Sequence, residues 1–369
     1  MALLRERAAA QGGPVVDLSI GAPVDPTPEV VRRALGVHAD WPGYPLTTGT
    51  RALREAQLGW LARRHGVVGV TGLDAAAVLP VPGTKEVIGS LPLHLGLTPD
   101  DVVALPRLAY PTYAVGAAVV GARIERVDDL ADLQALEAAG VVPRLLWLNS
   151  PSNPTGRVQP AAALAALVAW CRARGTLVVS DECYLDLGWE ATPVSVLHPD
   201  VSGGDPAGLL AVHSLSKRSN LAGYRIGFVT GDPALVADLT SIRRNLGLGV
   251  AGPQQGAAVA ALEDEDHVTA QRARYAARRA VLLPALRHAG FRVEHSEAGL
   301  YLWATRDEPA TVTLDALVGL GIVAISGAEY GPEGAAHVRF ALTAPDADVA
   351  LAARRLADAP APRSPEESA

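Results

Sequence analysis

Five short apolar runs, each followed at once by polar or aromatic residues, constrain this chain more than any other feature. Ala77–Val81 leads into Gly83-Thr84-Lys85-Glu86, and Val102–Leu105 into Ala109-Tyr110-Pro111-Thr112-Tyr113. Leu145–Leu148 leads into Asn149-Ser150-Pro151-Ser152-Asn153-Pro154-Thr155-Gly156. Leu177–Val179 leads into Ser180-Asp181-Glu182-Cys183-Tyr184, and Leu209–Val212 into His213-Ser214-Leu215-Ser216-Lys217. Runs this short, without polar alternation, read as strands buried on both faces. Helical stretches separate them. One is expected from Lys85 to Leu95, another from Ala161 to Arg174, where Gly175 stops it. The pattern implies an α/β fold with a mostly parallel sheet covered by helices, and ligands bind such sheets beyond the carboxyl ends of the strands. Here each of those ends carries side chains capable of chemistry.

Past residue 255 the pattern changes. Gln254–Ala289 reads as a long helical region, broken near Asp264–Asp266 and near Pro284. Strands follow at Phe291–Glu294, Leu300–Trp303, Ile322–Ile325 and His337–Leu342, with helices at Leu314–Leu320 and Asp346–Leu356. We expect a large domain at 41–255 and a smaller α+β domain at 256–358. The arm at 1–40 is expected to form part of the small domain, and the tail at 359–369, rich in Pro, Ser and Glu, to be disordered.

Charge and composition narrow the function. The net charge of −7 argues against nucleic acid as a partner. No apolar run approaches the ~20 residues that span a bilayer. The first residues, Met-Ala-Leu-Leu-Arg-Glu-Arg, lack the apolar stretch of a secretory signal. Cys171 and Cys183 stand apart, without the spacing of a zinc site. The expectation is a cytoplasmic protein with no metal and no membrane partner.

The chain carries 32 Lys plus Arg, and only two of them, Lys85 and Lys217, are lysines. Arginine stays protonated and is a poor nucleophile, whereas a lysine amine can lose its proton, so the two survivors are candidates for covalent chemistry. Asp181 at the end of a buried strand needs a cation or a strong donor; a structural ion pair or a pyridinium nitrogen would satisfy it. Gly83 and Thr84 precede a helix, where backbone N–H groups favour phosphate. Arg225, eight residues after Lys217, suits bidentate phosphate binding. Tyr110 either packs or stacks on a ring. A phosphate, a pyridinium and an aldehyde that condenses with lysine together describe pyridoxal 5′-phosphate.

Asn153-Pro154-Thr155-Gly156, Asp181-Glu182-Cys183-Tyr184, Ser214-Leu215-Ser216-Lys217 and Arg225, in this order and spacing, resemble the fold-type I aminotransferases over nearly the whole chain. The resemblance implies that Lys217 holds the cofactor covalently and then serves as acid and base. It implies that Asp181 pairs with the ring nitrogen, that Asn153 and Tyr184 bond the phenolic oxygen, and that Tyr110 stacks on the ring. Gly83, Thr84, Lys85, Ser214 and Arg225 would surround the phosphate. Arg339 would clamp the substrate α-carboxylate, with the backbone of Gly21 and Asn153 facing it. Tyr44 would reach the neighbouring subunit's phosphate, which implies a homodimer with a shared site.

Longer stretches, among them Tyr44–Arg54, His213–Gly227 and Ala298–Arg306, look like the N-succinyldiaminopimelate aminotransferases of lysine and diaminopimelate biosynthesis. That group moves an amino group from glutamate to N-succinyl-2-amino-6-oxopimelate, leaving 2-oxoglutarate. The glycine-rich segment 243–253 departs from the group and is a candidate lining of the cavity. Lys85, then Arg218, Arg243 and Arg244, are candidates for the remote carboxylates. A different amino-acid aminotransferase, a C–S lyase or decarboxylase on the same scaffold, or an effector-sensing module fused to a DNA-binding domain are the alternatives. The chain is expected to have no room for such a fusion before residue 15 or after 358.

Overall fold

The computed structural model describes residues 1–358; the expected disordered tail at 359–369 lies outside them. The apolar runs form strands of one seven-stranded sheet. In chain order these are β1 (Val78–Val81), β2 (Val102–Leu105), β3 (Arg123–Arg126), β4 (Leu145–Asn149), β5 (Leu177–Asp181), β6 (Leu209–Ser214) and β7 (Gly227–Gly231). Their order across the sheet is β1-β7-β6-β5-β4-β2-β3. Only β7 runs against the rest, pairing antiparallel with β1 and β6. Pro80, which has no N–H to donate, sits on the edge strand β1, where a missing donor is tolerated.

The strands are apolar throughout because both faces are covered. Along β4, Leu146 and Leu148 face one core, with Trp60, Leu164 and Phe228. Leu145 and Trp147 face the other, with Ile88, Leu91 and Tyr113. Truncating one such leucine to alanine costs about 2–5 kcal/mol. The helix Ala161–Arg174 ends as expected, with Gly175 in the left-handed region at φ 71°. The helix after β1 spans Thr84–His94. Strands β3 and β7 were not among the expected strands.

The second sheet has four antiparallel strands, in the order Ile325–Ser326, His337–Ala341, Tyr301–Thr305, Arg292–Glu294. Helices Asp266–His288 and Asp346–Ala357 pack against each other and share its core. The expected break near Asp264–Asp266 is present, at 264–265 between helices Gly252–Glu263 and Asp266–His288. The expected break at Pro284 is not: the helix runs through it. Leu282, Leu283 and Leu286 are buried on either side of the proline, so core packing outweighs the lost backbone bond. The N-terminal residues join this sheet's neighbourhood, Val16–Asp17 pairing parallel with Ile322–Val323, while Val31 joins the core beneath the larger sheet.

Register decides what meets at the carboxyl ends. Asn149 is opposite Asp181, and Asp181 opposite Val212. Gly227 is opposite both Ser214 and Val81. The motifs after β1, β4, β5 and β6, and the segment that enters β7, therefore converge on one spot. Among the described residues no helix is long and apolar enough to cross a membrane, and no group of three or more His, Cys, Asp or Glu is placed to hold a metal ion.

Candidate active site

The motifs converge on a cavity of about 460 Å³ between the end of the large sheet and the small one. It holds Gly21, Thr84, Lys85, Tyr110, Asn153, Asp181, Tyr184, Ser214, Lys217, Arg225 and Arg339, eleven of the thirteen residues that the resemblance assigned to the cofactor and the α-carboxylate. Gly83 lies just behind it: at φ 84° it is the residue before the helix, and a Cβ there would collide with the Arg225 guanidinium. Tyr44 is not in the cavity. Its side chain is fully exposed, at 101%.

Lys217 lies in the short helix Leu215–Arg218, capped by Ser214 Oγ, which accepts from the Ser216 N–H at 3.1 Å. Its Nζ donates to the Gly21 carbonyl. Only glycine fits at 21, because a Cβ would strike the Tyr301 hydroxyl. Next to it, Ser19 offers its carbonyl to Arg339 Nη2 at 2.8 Å, and Asn153 Oδ1 accepts from Nη1 at 2.9 Å. The guanidinium carbon stands 3.9 Å from the Tyr301 ring centroid. Arg339 Nε is sealed from solvent without a partner.

Asp181 is buried and accepts from the Tyr113 hydroxyl at 2.7 Å and the Cys183 N–H at 3.2 Å. Burial pushes its carboxyl above the ordinary value, against the pull of those two donors. No cation lies within ion-pair distance of it among the described residues. Burial, with Asp181 next in weight, also lifts the Cys183 thiol well above its usual range. The Tyr184 hydroxyl shares a hydrogen bond of 3.0 Å with Tyr301; burial and that neighbour push its phenol well up.

The donor set fits pyridoxal phosphate. The helix Thr84–His94 has no side-chain cap, so its first N–H groups remain available to a phosphate, beside Ser214, Ser216 and Arg225. A pyridinium N–H would give Asp181 the cation it lacks. Lys217 supplies the amine.

Several residues in the cavity were not assigned from sequence: Ser216, Cys183, Tyr301 and Tyr330 line it, and Tyr113 supports it. Tyr113 had a signal, since it stands in the same polar and aromatic run after β2 as Tyr110, on the first turn of helix Thr112–Val119. Tyr301 lies in the Ala298–Arg306 stretch that carries the finer resemblance, which assigns it no role, and Tyr330 had no signal, because it arrives on a turn after the second sheet's edge strand. Two of the cations suggested for remote carboxylates are committed elsewhere. Arg218 is buried against Asp186 at 2.8 Å, and Arg243 makes a two-pronged pair with Glu86 at 3.0 and 2.6 Å. The glycine-rich segment 243–253 does not line the cavity; Gly249 lies against Leu46 and Thr47 instead, in the loop that carries Tyr44.

This fold, with the Lys217 amine, a buried aspartate and an uncapped helix on one cavity, defines a fold-type I pyridoxal-phosphate enzyme. The chain belongs to the class I and II aminotransferases: that family's model matches residues 13–356. The family depends on pyridoxal phosphate. Over 349 residues the chain is 56% identical to a probable aminotransferase of Mycobacterium tuberculosis, covering 95% of this chain and 82% of that protein. It is 53% identical over 352 residues to the 4-dedimethylamino-4-oxo-anhydrotetracycline transaminase OxyQ of Streptomyces rimosus, covering 95% and 96%. The solved structure of a probable N-succinyldiaminopimelate aminotransferase of Thermus thermophilus superposes with a TM-score of 0.86 at 29% identity, covering 97% of this chain and 98% of that one.

Proposed function

We propose that this aminotransferase exchanges an amino group between glutamate and N-succinyl-2-amino-6-oxopimelate, in the succinylase branch of diaminopimelate and lysine biosynthesis. One observation carries the reading. Beside the Lys217 amine, three cations, Lys85, Arg225 and Arg339, line the cavity against the single carboxylate of Asp181. Such a cavity suits a phosphate together with a substrate of several carboxylates, since buried carboxylates left unpaired cost several kcal/mol each.

Bound pyridoxal phosphate supplies an electrophilic carbon and a ring that accepts the electron pair left when the substrate Cα loses its proton. Lys217 Nζ takes that proton from Cα. Asp181 holds the proton on the ring nitrogen, and Tyr113 and Cys183 fix the carboxylate's orientation. Asn153 and Tyr184 would bond the phenolic oxygen, and Tyr110 would stack on the ring. Thr84, Ser214, Ser216 and Arg225 anchor the phosphate, which keeps the reacting atoms in register. Arg339 receives the α-carboxylate beside the backbone of Gly21, and Asn153 holds the guanidinium in place. Lys85, exposed at the cavity and 6.0 Å from the Tyr110 ring centroid, takes a remote carboxylate. Tyr44 completes the phosphate site of a second subunit in a two-fold homodimer. Residues 41–255 act as the large domain, with Val31 of the arm and helix Gly252–Glu263 packed into its core, and the rest of 256–358 with the start of the arm acts as the small one.

The similarity to OxyQ favours a second reading, a transaminase for a different carbonyl acceptor. A coupled assay of 2-oxoglutarate release from glutamate, run against a panel of oxo acids, separates the two. In the reverse direction, N-succinyl-diaminopimelate should be used well and free diaminopimelate poorly, because its distal ammonium would face Lys85. Equal use of both would sink the substrate assignment and leave the aminotransferase standing.

A further inference from the structure

The short turn Gly327–Tyr330 follows strand Ile325–Ser326 and reaches over to the large sheet. The Ala109 N–H donates to the Tyr330 carbonyl at 2.9 Å. At Gly331 a Cβ would collide with the Arg107 carbonyl, so the turn is held close against the segment that leads to Tyr110. The Tyr330 ring lies edge-on to Trp303, with centroids 6.1 Å apart at 88°. The Arg339 guanidinium is 5.1 Å from its centroid.

Tyr330 is only 6% exposed, and it lines the cavity. Its hydroxyl has no hydrogen-bond partner among the described residues, yet it is not one of the polar atoms sealed from solvent. It therefore opens on the cavity. The Tyr301 hydroxyl, by contrast, is taken by Tyr184. Burial lifts the Tyr330 phenol above its ordinary value, so it remains a neutral donor.

We propose that Tyr330 is a specificity residue that donates a hydrogen bond from Oη to an oxygen on the substrate side chain, selecting amino and oxo acids with carboxylate or acyl side chains over those with hydrocarbon side chains. This rests on the α-carboxylate lying at Arg339, as assigned above. The Tyr330 ring contacts Arg339 and its main chain holds the residue before Tyr110, in a cavity that Lys85 also lines, so with the α-carboxylate at Arg339 the acceptor nearest Oη belongs to the substrate side chain. A hydrocarbon side chain would leave the hydroxyl dehydrated and unpaired, and sites built this way discriminate strongly.

Tyr330→Phe keeps the ring, the Trp303 contact and the main-chain bond to Ala109. Melting temperature and cofactor content verify that the holoenzyme is intact. Single-turnover absorbance of the bound cofactor then gives rate and apparent Kd for glutamate and for 2-aminobutyrate. We expect the preference for glutamate to fall about tenfold, about 1.4 kcal/mol, mainly through Kd. An unchanged preference, or an equal loss on both substrates, overturns the proposal. N-succinyl-diaminopimelate forms a third arm. If the wild type ignores it while the glutamate preference still collapses in the variant, the substrate assignment fails and Tyr330's role stands. If the wild type uses it well and the variant matches the wild type on all three, the reverse holds.

Discussion

Replacing Asp181 with asparagine should move stability and activity in opposite directions. The carboxylate is buried, takes hydrogen bonds from Tyr113 at 2.7 Å and from Cys183 at 3.2 Å, and has no cation beside it in the protein alone. Its folded-state value is raised by burial, so the folded protein binds more protons at this group than the unfolded chain. Stability from this group is therefore greatest below the ordinary carboxylate value, near 3.9, and is lost as pH rises through the folded value. Asparagine is uncharged and nearly isosteric, and the Tyr113 hydroxyl can turn to accept from its amide. Cofactor-free Asp181→Asn should melt no lower than the wild type at pH 7, and any advantage should shrink as the pH is lowered. With cofactor the sign reverses, because the ring nitrogen loses its counter-charge. Loss of such a contact costs about 3 kcal/mol or more, roughly a hundredfold in turnover. Calorimetry of both forms, with steady-state rates on glutamate, measures the two effects. Near-wild-type turnover, or a cofactor-free variant that melts markedly lower, would refute the reasoning.

Three further outcomes follow from the same geometry. Tyr44→Phe should weaken cofactor retention in a dimeric enzyme, measured by equilibrium dialysis alongside light scattering; full activity from a monomer rules this role out. Lys85→Met should raise KM for N-succinyl-diaminopimelate far more than for glutamate, as expected of a uniform-binding contact; a loss of cofactor instead would make Lys85 a phosphate ligand. Asp186 is buried against Arg218 at 2.8 Å and His65 at 3.2 Å. Burial alone would raise its carboxyl, but the neighbouring His65 and the Arg218 charge hold it well below the usual range. Its contribution is thus present above about pH 4 and lost as the pH falls further. Asp186→Ala should cost about 3–5 kcal/mol at pH 7 by stranding a buried guanidinium, and a urea midpoint within error of the wild type would contradict this.

Much of the fold was legible because burial on both faces leaves a continuous apolar signature, as in Leu145–Leu148 and Leu209–Val212. Strand β3, Arg-Ile-Glu-Arg, has no such signature, since it lies at the edge of the sheet and its residues stay partly exposed. Strand β7 is bounded by Gly227 and Gly231 and reads as a turn. Pro284 reads as a break, and the leucines packed around it override that local signal. In the site, spacing after each strand brought Asp181, Lys217 and Arg225 to attention. What a cation is already paired with is invisible in sequence, so Arg218 and Arg243 looked free until Asp186 and Glu86 were seen against them. Tyr301 and Tyr330 come from elements whose approach depends on how the two sheets pack.

The central claim is that Lys217 is the amine that holds the cofactor. Borohydride treatment of the yellow holoenzyme, followed by peptide mapping, should find the reduced cofactor on Lys217, and Lys217→Ala should fold yet neither retain it covalently nor transfer amino groups. Label on Lys85, or undiminished transfer by the variant, would contradict the account.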